Sequence, residues 1–154
     1  MTLHDTLALE RRFDAAPGDV FRLFAEESRW RRWFRMPGAG AQYEHDFRVG
    51  GVDRASSEFT MPDGRIERLE NRATYLAIDV DRRVSYAYVA IVDEIPRWAS
   101  LVTAELIGDG AATVMTWTEQ VALLTASEGE QDVAHLRGSI ALRFNAMSLA
   151  LRSV

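Results

Sequence analysis

His45-Asp46-Phe47-Arg48-Val49-Gly50-Gly51 alternates apolar with charged residues and then breaks on paired glycines, which reads as a strand over 45–49 ending in a turn. Phe47 and Val49 share one face of that strand and Asp46 and Arg48 the other, so the charged pair points outward. Two more turn signals follow, Pro62-Asp63-Gly64 and Asp109-Gly110, each able to supply the positive φ of a tight hairpin. Between these breaks the pattern predicts strands at about 52–60, 65–78, 83–92, 98–107 and 112–123, joined also through 79–82 and 93–96. The stretch therefore marks the start of an antiparallel meander. With no GxGxxG or GxxxxGK[ST] pattern around them, its glycines read as a turn rather than a phosphate cradle.

Upstream, Leu7, Leu9, Arg11 and Phe13 alternate with Ala8, Glu10 and Arg12 as a first strand. Ala16-Pro17-Gly18-Asp19 opens a short helix with its proline where no amide donor is needed, and Val20, Phe21, Leu23 and Phe24 form its buried stripe. Ser28 is placed to cap a second short helix carrying Trp30, Trp33 and Phe34. Downstream, Val133, Leu136, Ile140, Phe144, Met147 and Leu151 recur at three- and four-residue spacing, the mark of one long C-terminal helix. Leu142, Ala146, Leu149 and Ala150 are an apolar surplus on it, compatible with a homodimer or with a fully buried helix. The whole of 1–154 reads as a single domain, with no internal repeat or linker.

Composition removes several kinds of chemistry. The 154-residue chain contains no cysteine, and all 18 of its basic residues are arginine. That excludes disulfides, thiolate nucleophiles and lysine Schiff bases. A formal charge of −5 disfavours a nucleic-acid partner. There is no apolar run long enough for membrane insertion, and Met1-Thr2-Leu3-His4-Asp5 lacks the basic start of a secretory signal, so the expected location is cytoplasmic. His4, His45 and His135 have no metal-ligand spacing, so neither a metal nor a cofactor is expected.

Taken in order, Arg12-Phe13, Ala16-Pro17, Val20-Phe21, Arg32-Trp33-Phe34, Asp46-Phe47-Arg48-Val49-Gly50-Gly51, Pro62-Asp63-Gly64-Arg65, Tyr86-Ala87-Tyr88 and Thr118-Glu119-Gln120 resemble the START-like, or polyketide-cyclase-like (SRPBCC), superfamily. Within it the chain is most similar to the branch of activator of Hsp90 ATPase homologues. The resemblance implies an α+β helix-grip fold: a curved antiparallel sheet wrapped round a long C-terminal helix, two short helices after the first strand, and a cavity between sheet and helix. Superfamily members use such a cavity for apolar molecules, with or without catalysis. Members often carry a tryptophan shortly after a glycine in the last helix. Here Gly138-Ser139-Ile140-Ala141-Leu142 stands in its place, which either enlarges the cavity or lets a shifted helix refill it.

Strand parity assigns the inward faces. Met115, Trp117, Glu119, Val121 and Leu123 share one side, and the large apolar members turn that side inward. Glu119 is thus an acid on an apolar face. It is either a general acid or base and ligand anchor, or a carboxylate near a cavity mouth paired with an arginine. Tyr86 and Tyr88 share an inward face and carry polar tips suited to an amphipathic ligand; Trp98 stands at a strand end. Arg29-Trp30-Arg31-Arg32-Trp33-Phe34-Arg35 reads as aromatic packing with solvated arginines, with Arg32 or Arg35 able to guard an entrance.

The leading expectation is a binding protein for a small hydrophobic or amphipathic molecule, monomeric or homodimeric. Its cavity would be lined by Tyr86, Tyr88, Met115, Trp117, Ile140, Phe144 and Met147, with Glu119 as polar anchor. One alternative is a polyketide-cyclase-like enzyme using Glu119, with a tyrosine or His135, for proton transfer. Another is a co-chaperone-like interaction module.

Overall fold

A computed structural model describes residues 2–125 and 130–152. The chain runs β1 (Leu3–Phe13), α1 (Pro17–Ala25), α2 (Glu27–Trp33), β2 (Ala39–Glu44), β3 (Val52–Thr60), β4 (Ile66–Asp79), β5 (Arg83–Val92), β6 (Ile95–Asp109), β7 (Ala112–Leu123) and α3 (Glu130–Arg152). The strands form one antiparallel seven-stranded sheet in the order β1-β7-β6-β5-β4-β3-β2. Register shifts between Ala39 and Gln42, Tyr75 and Ala77, and Ala90 and Ile91 interrupt its ladders; such irregularities bend and twist strands. The sheet curves so that one face closes on the helices, giving the α+β helix-grip architecture.

Proline opens α1, with Asp19 in its first turn and Arg22 in its last, in keeping with the helix dipole. Its backbone leaves helical geometry only at Glu26 (φ −94°, ψ 121°), which closes α1 and opens α2 at once. Ser28 therefore lies inside α2 and does not cap it; the N-cap is Glu26, without a side-chain capping bond. Trp30, Trp33 and Phe34 are buried. The Trp33 indole donates to the Leu23 carbonyl at 2.7 Å, pinning α2 to α1.

The predicted strand at 45–49 is not a strand. The edge strand lies just before it, at Ala39–Glu44, and 45–51 is an irregular connection. Phe47 packs inward as expected, edge-on to Phe21 and Tyr75, but Val49 is 60% exposed and does not share its face. Asp46 and Arg48 do form an exposed ion pair, at 3.0 Å. The glycines serve a close approach. Gly50 N–H donates to the Tyr75 carbonyl, and Tyr75 N–H returns to that of Gly51. A Cβ on Gly51 would sit 2.1 Å from the Asp46 carbonyl oxygen.

The interior is organised by a run of edge-to-face aromatic contacts crossing the fold. Phe21 of α1 meets Phe47, Phe47 meets Tyr75 of β4, Tyr75 meets Tyr86 of β5, Tyr86 meets Trp117 of β7, and Trp117 meets Phe144 of α3, with centroids 4.9–6.2 Å apart. Each such pair contributes about 0.5–1.5 kcal/mol beyond simple burial, so the chain of rings holds the sheet to the first and last helices. On α3, Ile140, Phe144, Met147 and Ala150 are buried, whereas Leu142 and Leu149 are 70% and 61% exposed. The last helix is thus one-sided rather than fully buried.

Two glycine substitutions separate these roles. Gly51→Ala forces a methyl group against a backbone carbonyl and is expected to cost about 1–3 kcal/mol. Gly138→Ala, where an added Cβ meets nothing within 4 Å, should gain about 0.5–1 kcal/mol from reduced backbone freedom in the unfolded helix segment. Urea denaturation of the two variants reads both signs directly.

Candidate functional site

Glu119 sits in the middle strand of the β1-β7-β6 ladder, opposite Leu7 on one side and Val102 on the other. The parity of β7 turns it inward, and it is 1% exposed. Its Oε2 accepts hydrogen bonds from the Tyr88 hydroxyl at 2.5 Å and the Ser100 hydroxyl at 2.7 Å, and its Oε1 from the Trp117 indole at 3.1 Å. The Trp98 indole in turn donates to the Tyr88 oxygen at 3.1 Å. The expected arginine partner is absent among the described residues: no ion pair reaches Glu119. Neutral donors of β5, β6 and β7 hold its charge instead.

A second buried carboxylate lies across the sheet. Asp53, 6% exposed on β3, accepts from His45 Nδ1 at 2.9 Å, from the Asp46 backbone N–H at 3.1 Å, and from the Tyr75 hydroxyl in a short hydrogen bond. His45 is stacked on Trp30 with ring centroids 4.5 Å apart. Its Nε2 is buried without a hydrogen-bond partner among the described residues.

Between these two centres lies a small internal cavity of about 20 Å³, room for about one water. Asn71, Ala73 and Tyr75 of β4, Tyr86 and Tyr88 of β5, Asp53 and Arg54 of β3 and Arg143 of α3 are among its walls, with Trp30 and Trp33 of α2 and Phe34 just after it closing the space. The Arg143 guanidinium lies over the Phe34 ring, 4.6 Å from its centroid. Burial, followed by the nearby Glu119 charge, pushes the Tyr86 and Tyr88 phenols well above their ordinary value, while Arg143 pulls both back down. Tyr75 is also raised, first by burial and then by Asp53.

A larger depression of about 730 Å³ opens at the end of the grip. Its apolar walls include Phe59, Leu69, Val92, Trp98 and Leu123 from the strands and Leu136 from α3, and its polar rim carries Glu67, Arg97, Asp132 and His135. Trp98 thus faces this mouth while its indole joins the Glu119 network; β6 begins at Ile95, so Trp98 lies within the strand, paired with Ala90 and Leu123, and not at the strand end expected from the sequence.

Of the side chains expected to line a cavity, Tyr86, Tyr88, Met115, Trp117, Glu119, Ile140, Phe144 and Met147 are all buried on the concave interior. Only Tyr86 and Tyr88 border the small cavity; Met115, Trp117, Ile140, Phe144 and Met147 pack against one another and their neighbours and border neither space. Arg32 and Arg35 are exposed on α2 and just beyond it, away from both spaces. Asp53, Asn71 and Arg143 were not anticipated. The inward parity that singled out Glu119 applies equally to Asp53 beside Ala55, and to Asn71 beside Ala73 and Tyr75. Among the described residues no group of three or more potential ligands could hold a metal ion, and no helix is long and apolar enough to cross a membrane.

A sheet gripping a C-terminal helix, with a polar-tipped interior opening at one end, defines the helix-grip class. The chain belongs to the family described as Activator of Hsp90 ATPase homolog 1-like protein, which it matches over residues 14–143, and so to the SRPBCC superfamily. It is similar to the crystal structure of the Mll3558 protein from Rhizobium loti, with 33% identity over 97% of this chain and 99% of that one and a TM-score of 0.78. A Rhizobium leguminosarum protein is 28% identical over 100% of this chain and 98% of its own, with a TM-score of 0.84. The SA2116 protein of Staphylococcus aureus shares the fold at 13% identity, covering 99% of this chain and 96% of its own, with a TM-score of 0.74. No curated protein matches the chain.

Three raised phenols have a measurable consequence. In the folded state Tyr75, Tyr86 and Tyr88 hold their protons above the ordinary value of 10.0, whereas in the unfolded chain they release them near it. The folded state therefore binds more protons as pH rises past about 10, so their contribution to stability is full below that pH and is lost above it. Phenolate absorbance should show these tyrosines ionising only as the alkaline unfolding transition is crossed; full ionisation before unfolding would contradict the burial described.

Proposed function

We propose that the protein binds a small hydrophobic or amphipathic molecule between the sheet and α3, entering by the mouth beside Trp98. The observation that carries this reading is the mouth itself: a depression of about 730 Å³ in which apolar walls meet a polar and charged rim, a combination suited to an amphipathic small molecule. The Trp98–Tyr88–Glu119 network supports it from behind, because it makes the inner wall rigid while leaving the Trp98 face available to a ligand. In this reading Glu119 is an anchor for the wall. A carboxylate with three donors at 1% exposure has no free path for exchanging a proton with a substrate.

The small cavity belongs to the same site as its inner end, and a ligand larger than a water reaches it by displacing side chains around Tyr88. The full-length protein titrated with the neutral fluorescent probe N-phenylnaphthylamine should give saturable binding that quenches tryptophan emission. Ser139→Trp, which fills the mouth from the exposed side of α3, should weaken that binding by about tenfold or more, the loss expected when a well-packed ligand contact is blocked. Unchanged binding in Ser139→Trp would remove the mouth as the site. Native mass spectrometry of protein purified without added ligand would identify a molecule carried from the cell.

A further inference from the structure

The mouth and the small cavity share two walls. Along the inward face of β4, Glu67 and Leu69 line the mouth, and the next inward residues, Asn71, Ala73 and Tyr75, line the cavity. Each step of two residues advances about 7 Å along a strand. Opposite, α3 presents Asp132, His135, Leu136 and Ser139 to the mouth, and Arg143, one turn further on, to the cavity. Strand and helix thus flank both the mouth and, further in, the small cavity.

The groups around that cavity are donors with nothing to donate to. Tyr86 is 7% exposed, and its hydroxyl makes no hydrogen bond among the described residues. The half-buried Arg143 has no ion-pair partner among them, only the face of Phe34. The Asn71 amide is likewise unbonded among them. The two carboxylates nearby do not fill the need, because Asp53 and Glu119 are each engaged by three other donors. A guanidinium, a phenol and an amide around the small cavity, inward of the mouth, match a carboxylate, which takes a guanidinium fork and further donors on its remaining lone pairs.

We propose that this site binds an amphipathic monocarboxylate head-first, with the carboxylate on Arg143, Tyr86 and Asn71 and the apolar body lying back past Leu69 and Leu136 to Trp98. The proposal rests on the reading of the mouth as a ligand site and adds the chemical class and the orientation.

The test uses a matched pair of probes, naphthylacetate and naphthylacetamide, titrated into the full-length protein by calorimetry. The acid should bind at least about tenfold more tightly than the neutral amide, the scale of one charge-assisted bidentate contact. Arg143→Met should remove that preference while leaving amide binding near its original strength, and Arg143→Lys should keep part of it. Tyr86→Phe, which deletes only the hydroxyl, should weaken the acid on the order of threefold. Far-UV circular dichroism of each variant reports that the fold is intact. Equal binding of acid and amide to the original protein, or an unchanged acid preference in Arg143→Met, overturns the carboxylate assignment while leaving a ligand site at the mouth. Absence of binding by both probes and by N-phenylnaphthylamine overturns the ligand site as well.

Discussion

A carboxylate buried to 1% exposure with no ion-pair partner among the described residues is a demanding thing for a small protein to contain. An unpaired charge in a low-dielectric interior costs several kcal/mol even after relaxation, so Glu119 persists only because three neutral donors are aimed at it. Those donors stand on adjacent strands, and their positions follow from register. Tyr88 faces Ser100 across the β5-β6 ladder, while Glu119 faces Val102 across the β6-β7 ladder. A slip of one residue in either ladder would turn the donors outward and strand the charge. The network therefore fixes the pairing of the three strands that form the deep wall of the grip, and through Trp98 it also fixes one face of the mouth.

Asp53 does for the other half of the sheet what Glu119 does for this one. Its partners come from β4, through Tyr75, and from the connection after β2, through His45 and the Asp46 backbone. The same connection is tied to β4 by reciprocal backbone bonds between Gly50, Gly51 and Tyr75. The diagnostic stretch of the sequence is thus held by one acid, one phenol and two glycines. Its His45 Nε2, without a hydrogen-bond partner among the described residues and sealed under Trp30 and Phe47, forgoes the hydrogen bond it would make in water. Such a loss, of about 1–3 kcal/mol, is tolerated because the imidazole's other nitrogen and its ring faces are all engaged.

Much of this was legible in the chain because period-two alternation carries the inward face with it. The meander from β3 to β7, the inward Glu119 and the tyrosine pair of β5 all follow from counting alternate residues. The edge strand did not, because Ala39-Gly40-Ala41-Gln42 has no apolar alternation: an exposed edge has no core face to write into the sequence. The stretch 45–49 does alternate, but Phe47 reaches the core from a turn, and Val49 has no core to reach. Arg143 escaped notice for a related reason. The stripe of α3 was counted in apolar residues, and a cation within the stripe, adjoining Phe144, looks like its edge until the space opposite it is known to be polar.

The order of the sheet leaves β1 and β2 with unpaired backbone groups along their outer sides. Neither makes a good template for another chain. β2 is six residues long, broken by a register shift, and flanked or interrupted by Gly38 and Gly40 at φ 88° and 66°, a backbone that a neighbouring strand cannot follow. β1 is longer and regular, yet Asp5, Glu10, Arg11 and Arg12 spread charges of both signs along it. Short, kinked or charged edges are how sheet proteins suppress strand-to-strand aggregation. An open, curved sheet that never closes into a barrel thus carries at both of its edges features that disfavour strand addition.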